Sequence, residues 1–125
     1  LEQDWFFNQI HSAFCYDADI RDWVHHLKFG SKEQLAPLLG RLCALSFQGK
    51  HSFLEADAVI PIPLHVNRLR RRGFNQSLLI AHYFSKNLES NLCLRPQWLT
   101  RVRATPPQAQ LSFHDRLHNL DSAFE

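Results

Sequence analysis

Four arginines stand within five residues, at Arg68, Arg70, Arg71 and Arg72, and a glycine, Gly73, follows them directly. Guanidinium groups present forked donors that match phosphate oxygens, and a glycine lets a backbone take positive φ or approach a ligand closely. His65 precedes the run, and Asn75 and Gln76 follow it. The chemistry this implies is capture of a phosphate-bearing anion rather than attack on a substrate. Arg68, Arg70, Arg71, Arg72, Gly73, Asn75 and Gln76, with His65, are the candidate phosphate or pyrophosphate ligands; no catalytic residue is assigned. The residues alone also fit a solvated basic loop with Gly73 as a plain turn, and His65 fits equally a phosphate donor or a residue that holds the turn.

The elements around this run suit such a site. Residues 57–62, DAVIPI, form a short apolar run with β-branched members and predict a buried strand, which Pro61 and Pro63 must end. An irregular loop over 64–74 follows, and Asn75 offers a side-chain cap for a helix, NQSLLIAHYFSKNL. Strand, basic loop and helix in that order make an anion-site layout, since ligands of open α/β sheets sit beyond the carboxyl ends of strands, against helix N-termini.

Upstream, residues 17–29 place Ile20, Trp23, Val24 and Leu27 on one helical stripe, with Asp17 or Asp19 to cap it and Gly30 as a left-handed stop. A second helix carries Leu35, Leu38, Leu39, Leu42 and Leu45. Ser31 and Gln34 pattern as a capping box, and Pro37 pushes the regular helix toward Gln34. Residues 48–55 read as a connector. Downstream, a strand is expected around 98–102 after Pro96, then a loop over 105–110 and a short helix, FHDRLHNL, capped by Ser112.

Length and composition bound the rest. At 125 residues, 45% hydrophobic and 21% charged, the chain has enough material for one core and is neither disordered nor collagen-like. The longest apolar stretches fall far short of the roughly 20 residues a membrane span needs. Three cysteines, Cys15, Cys43 and Cys93, include no CxxC pair, and the N-terminus lacks a signal-peptide pattern, so a cytoplasmic location is expected. The chain begins at Leu1 and contains no methionine, which suggests a piece of something longer. The net charge of +2 is unevenly placed: residues 1–63 carry five Lys/Arg against eight Asp/Glu, and residues 64–125 carry nine against four.

The stretches VIPIPLHVNRLRRRGFNQS and RVRATPPQAQLSFHDRLHNLDSAF, with the lead-in YDADIRDWVHHLKFG, resemble the ComF/GntX group of phosphoribosyltransferase-like proteins. The likeness runs over residues 16–124, and PxPLH, RRRGFNQ and QxQLS together are far more specific than any one of them. The resemblance implies an α/β fold, an incomplete type I phosphoribosyltransferase-like domain over 1–125. Within it, a helical lead-in over 1–49 precedes the start of a parallel-sheet core over 57–125. It implies that residues 63–75 bind the pyrophosphate side of phosphoribosyl pyrophosphate (PRPP), with Mg²⁺ accompanying the ligand. A mobile loop over 101–119 would close over it, with Arg101, Arg103, Gln108, Ser112, Arg116 and Asn119 as its polar positions.

The same resemblance links the chain to DNA uptake or gluconate use, with single-stranded DNA or DNA-uptake proteins as partners besides a phosphoribosyl or nucleotide-like ligand. Two departures follow. The four-cysteine zinc module that usually opens the family has no counterpart before Cys15, and the acidic pair with its Thr-Thr-Gly loop should lie beyond Phe124. Glycosyl transfer is therefore not assigned to this chain, and a non-catalytic nucleic-acid-binding or uptake-machinery module is the alternative.

Three weaker patterns complete the inventory. His114 and His118 stand at helical i, i+4 spacing without a third ligand in sight, while the adjacent His25 and His26 point to different faces. Trp5, Phe6, Phe7 and Phe14 read as core or interface anchors.

Overall fold

The computed structural model describes residues 8–30, 32–49, 56–88 and 92–125. Trp5, Phe6, Phe7, Ser31 and most of the 48–55 connector lie outside them. The first helix, α1 (Ala18–Phe29), begins where the acids lead: the Asp17 carboxylate accepts from the Ile20 backbone N–H at 3.0 Å, filling one of the unpaired donors of the first turn. Gly30 ends it without the left-handed turn expected of it. Its φ is −97°, and its N–H simply donates to the His26 carbonyl at 2.8 Å.

Helix α2 (Leu35–Phe47) starts at Gln34, with Pro37 in its first turn, where a missing N–H costs little. Gln34 makes no side-chain cap; the Leu35 and Ala36 N–H groups are taken instead by the Lys32 and Glu33 carbonyls. The core forms between these helices and α4 (Gln76–Asn87). Leu27, Ala36 and Leu39 are buried together, and Trp23, Leu79, Ile80 and Tyr83 pack on them.

Helices α2 and α4 meet at Gly40. A β-carbon there would stand 2.5 Å from Tyr83 Cβ and 2.8 Å from the Ile80 carbonyl oxygen, so this contact is built on the missing side chain. Farther along, the Phe47 and Phe84 rings meet edge to face at 5.5 Å.

The strand expected over 57–62 is shorter, β1 (Ala58–Val59), because the prolines that follow cannot supply ladder donors. The loop expected over 64–74 is not irregular: it contains a helix, α3 (Val66–Arg72). Local chemistry accounts for it. The His65 ring nitrogen Nδ1 accepts from the Asn67 N–H at 3.3 Å at one end. At the other end Gly73 takes φ +86° and donates its N–H to the Leu69 carbonyl at 2.8 Å, while arginine itself is a good helix former. Asn75 caps α4 as expected, its side-chain oxygen accepting from Ser77 N–H at 2.9 Å.

The chain then returns to β1 through β2 (Cys93–Leu94), parallel to it in the register Ala58 to Cys93 and Val59 to Leu94. This strand precedes Pro96. The strand expected around 98–102 is absent: Pro96–Trp98 is a short 3₁₀ turn, and of that stretch Arg101 makes an isolated antiparallel bridge with Phe124.

That bridge closes an excursion of the chain. Thr100 and Glu125 exchange two backbone hydrogen bonds at 2.6 and 2.9 Å, and Val102 N–H donates to the Ala123 carbonyl at 3.0 Å. Inside the excursion lie a 3₁₀ turn, Gln108–Gln110, and α5 (Phe113–His118), whose first turn is capped by the Ser112 hydroxyl, which accepts from Asp115 N–H. Among the described residues no helix is long and apolar enough to cross a membrane.

Candidate phosphate-binding groove

Folding the basic run into a helix sorts its side chains. Residues three and four apart share a helical face, so Arg68, Arg71 and Arg72 line one side of α3 while Arg70 falls away from it. Those three arginines line a groove of about 750 Å³, together with Ile62, Pro63 and Leu64, where the chain leaves β1. A smaller hollow of about 220 Å³ adjoins it, bounded by His65, Asn67, Ala104 and Thr105, and the two share Arg68, Arg71 and Arg101.

Arg101 arrives from the distant excursion. Its guanidinium donates to the Thr105 hydroxyl, and the Arg68 guanidinium donates to the Thr105 carbonyl at 3.3 Å. Thr105, only 9% exposed, is thus the post on which two cations from separate parts of the chain are hung. Arg101 also lies over the Phe124 ring at 5.3 Å. Its Nε and the Gln108 Oε1 are buried and have no hydrogen-bond partner among the described residues.

Arg72 donates to the Gln76 side chain and sits over the Phe29 ring at 5.3 Å. Lys28 also lines the groove, so α1 contributes a fifth cation. Neither hollow has an acidic residue among its described lining residues. The cost shows in the arginines. Burial, and secondarily the neighbouring Arg68, lowers the pKa of Arg72; burial, then Arg68 and Arg103, lowers that of Arg101. Crowded, partly desolvated cations without a carboxylate gain from an incoming anion.

The remaining candidates have other places. Asn75 is engaged at both ends of its amide, capping α4 and donating to the Ile62 carbonyl at 3.1 Å, so it ties the β1 exit to the helix. Gly73 supplies the left-handed turn between α3 and α4. Four of the six polar positions over 101–119 hold that segment to itself. Arg103 donates to the Asn119 and Asp121 carbonyls at 3.0 and 2.6 Å, Asn119 donates to the Pro106 carbonyl at 3.2 Å, and Arg116 to the Leu111 carbonyl at 3.1 Å. Ser112 caps α5, leaving Arg101 and Gln108 as the two that line the groove.

Lys28, Phe29 and Thr105 were missed by sequence reasoning. The only hint was a cation and an aromatic side by side at the end of α1, just before Gly30. The His114 and His118 rings lie 5.5 Å apart, but His118 pairs with Asp121 at 3.1 Å, and no group of three or more metal-binding side chains occurs among the described residues. With no carboxylate on its described walls, the groove does not fit Mg²⁺ as a protein-held ion.

The described residues form a mostly helical unit with a two-stranded parallel sheet and a basic groove beyond its first strand. Comparison with known proteins is more particular. The chain is 37% identical over 108 residues to "DNA utilization protein YhgH" of Salmonella typhimurium (strain LT2), covering 81% of this chain and 45% of that protein. It is 34% identical over 116 residues to the protein of the same name in Escherichia coli (strain K12), covering 87% and 48%. It is 33% identical over 105 residues to "Competence protein F" of Haemophilus influenzae (strain Rd), covering 81% and 44%. These homologues support a relation to the competence protein F group, and the chain spans about half the length of the curated relatives it matches. No family model and no solved structure matches the chain.

Proposed function

We propose that this chain supplies the basic wall of a phosphate-binding groove in a phosphoribosyltransferase-like protein serving DNA uptake or use, with PRPP or a nucleotide-like phosphate as ligand. One observation carries the reading. Lys28, Arg68, Arg71, Arg72 and Arg101, drawn from three parts of the chain, line one groove with no acidic residue among its described walls. The parallel crossover from β1 through α3 and α4 to β2, with the groove at the carboxyl end of β1, supports the phosphoribosyltransferase-like fold. The printed names of the relatives support the link to DNA.

In such a groove the arginines would hold the pyrophosphate oxygens, the unpartnered Arg101 Nε–H would donate a further hydrogen bond, and the Gln108 Oε1 would accept one from a ligand hydroxyl. Isothermal titration of PRPP, with Mg²⁺ in the buffer, into the full-length gene product tests this. Submillimolar binding that is lost on replacing Arg71 and Arg72 supports it; affinity unchanged by that replacement refutes the assignment.

The relatives' names favour a second reading, in which the same cations hold the phosphates of single-stranded DNA. Four such contacts would give a slope of log affinity against log salt of about −3. A flat salt profile excludes it.

A further inference from the structure

We infer that Phe29 is a positioning residue of the groove: its ring holds the Arg72 guanidinium by the face, leaving the charge and the in-plane donors of that arginine to the anion. This rests on the phosphate reading above and adds a residue that acts on the anion only through Arg72. The arginine is restrained from two directions. Its guanidinium lies over the Phe29 ring at 5.3 Å, and it donates to the Gln76 side chain at the start of α4. Arg101 is held in the same manner, over the Phe124 ring at 5.3 Å with a hydrogen bond to the Thr105 hydroxyl. Two groove cations from separate parts of the chain thus share one arrangement, an aromatic face and an uncharged acceptor.

The Phe29 ring is itself fixed. It ends α1, which is anchored in the core through Leu27, and the His25 ring one turn back packs against it at 5.0 Å. Its 68% exposure therefore belongs to a ring with a neighbour on its own helix and a cation on its face. What the contact leaves unused matters most. A carboxylate would hold an arginine firmly, but it would also neutralise the charge and occupy the donors that an anion needs. A ring face attracts the cation through its quadrupole, and the N–H groups of a guanidinium all lie in its plane, so they stay available. With no acidic residue among the described lining residues, the ring and the Gln76 amide are what restrain the long Arg72 side chain before a ligand arrives. Restraint of that kind lowers the entropy lost on binding.

The test is a double-mutant cycle read by calorimetric titration of inorganic pyrophosphate into the full-length protein. Phe29→Leu keeps an apolar side chain and removes the ring face. It is expected to lower pyrophosphate affinity by about three- to tenfold without moving the midpoint of thermal unfolding, while Phe29→Tyr, which keeps the face, binds as the parent does. Arg72→Ala leaves four cations on the groove, and in that background Phe29→Leu should bring no further loss. If Phe29→Leu binds pyrophosphate like the parent, or loses the same factor with and without Arg72, the ring does not act through the arginine and the inference is overturned while the phosphate site stands. If the parent protein does not bind pyrophosphate at all, the phosphate reading falls and takes the positioning role with it.

Discussion

Arg68 and Thr105 are separated by 37 positions in sequence, yet the arginine's guanidinium donates to the threonine's carbonyl at 3.3 Å. This bond joins the helix that follows β1 to the excursion that begins at Arg101. Since Arg101 donates to the hydroxyl of the same threonine, one nearly buried residue sets the relative position of two cations.

Thr105→Val keeps the shape and the carbonyl but removes the hydroxyl acceptor, leaving the Arg101 guanidinium short of a partner. A loss of about 1–3 kcal/mol in unfolding free energy is expected, read from urea titration, together with weaker phosphate binding. Thr105→Ser restores the acceptor and recovers most of both. Equal behaviour of the two variants would show that the hydroxyl positions nothing.

The helical sorting of the basic run separates Arg71 from Arg70 although they are adjacent. Arg71→Ala is expected to weaken PRPP or pyrophosphate binding by roughly 10- to 150-fold, the worth of about 1.5–3 kcal/mol for a charge-assisted hydrogen bond. Arg70→Ala should change it by less than about twofold, within the range of an exposed charge. Calorimetric titration of both variants checks the contrast, and equal losses would contradict the α3 face.

Gly40 is a packing requirement. Gly40→Ala drives a β-carbon into Tyr83 Cβ and the Ile80 carbonyl, and neither backbone can yield without parting α2 from α4. A destabilisation of about 1–3 kcal/mol or more follows, seen as a lowered midpoint in thermal unfolding. A variant as stable as the parent would mean that the two helices are farther apart than described.

Cysteine reactivity gives a prediction with a sign in pH. Burial raises the pKa of the Cys43 thiol, whereas Cys15 and Cys93 are exposed. At pH 8 the thiolate at Cys43 is scarcer, so labelling by an alkylating reagent should be slowest there, as measured by peptide mass mapping. In the unfolded chain Cys43 ionises near its ordinary pKa of about 8.5, and in the folded chain only above it. Below both values the two states bind the same proton and the group has no effect, and its contribution to stability falls as pH rises past about 8.5. Cys43→Ser should flatten that decline.

Much of the local structure was legible because its causes are local. Asp17 ahead of α1, Asn75 ahead of α4 and Ser112 ahead of α5 satisfy donors two or three residues away, and such short-range bonds are visible in spacing alone. The errors share a cause as well. The run around Arg68–Arg72 looked like loop because charge and a glycine suggest exposure, but His65 and Gly73 bracket it as start and stop of a helix. Residue pattern alone points to a second strand after Pro96, where aromatic and β-branched residues lie. The pairing with β1 selected Cys93–Leu94, a choice made by the partner strand and not by the residues themselves.

For the groove, the sequence by itself determined the cations, their density in residues 68–72, and, through the helical period, which of them share a face. Tertiary structure alone decided that Arg101, Lys28 and Phe29 join them. Arg101 reaches α3 because residues 101–124 close on themselves through the Thr100 and Glu125 pairing and bury Thr105. Lys28 and Phe29 reach it because Leu27 packs in the core with α2 and α4, which sets where the end of α1 falls. Contacts between segments depend on how the core closes, and no spacing within any one segment encodes that.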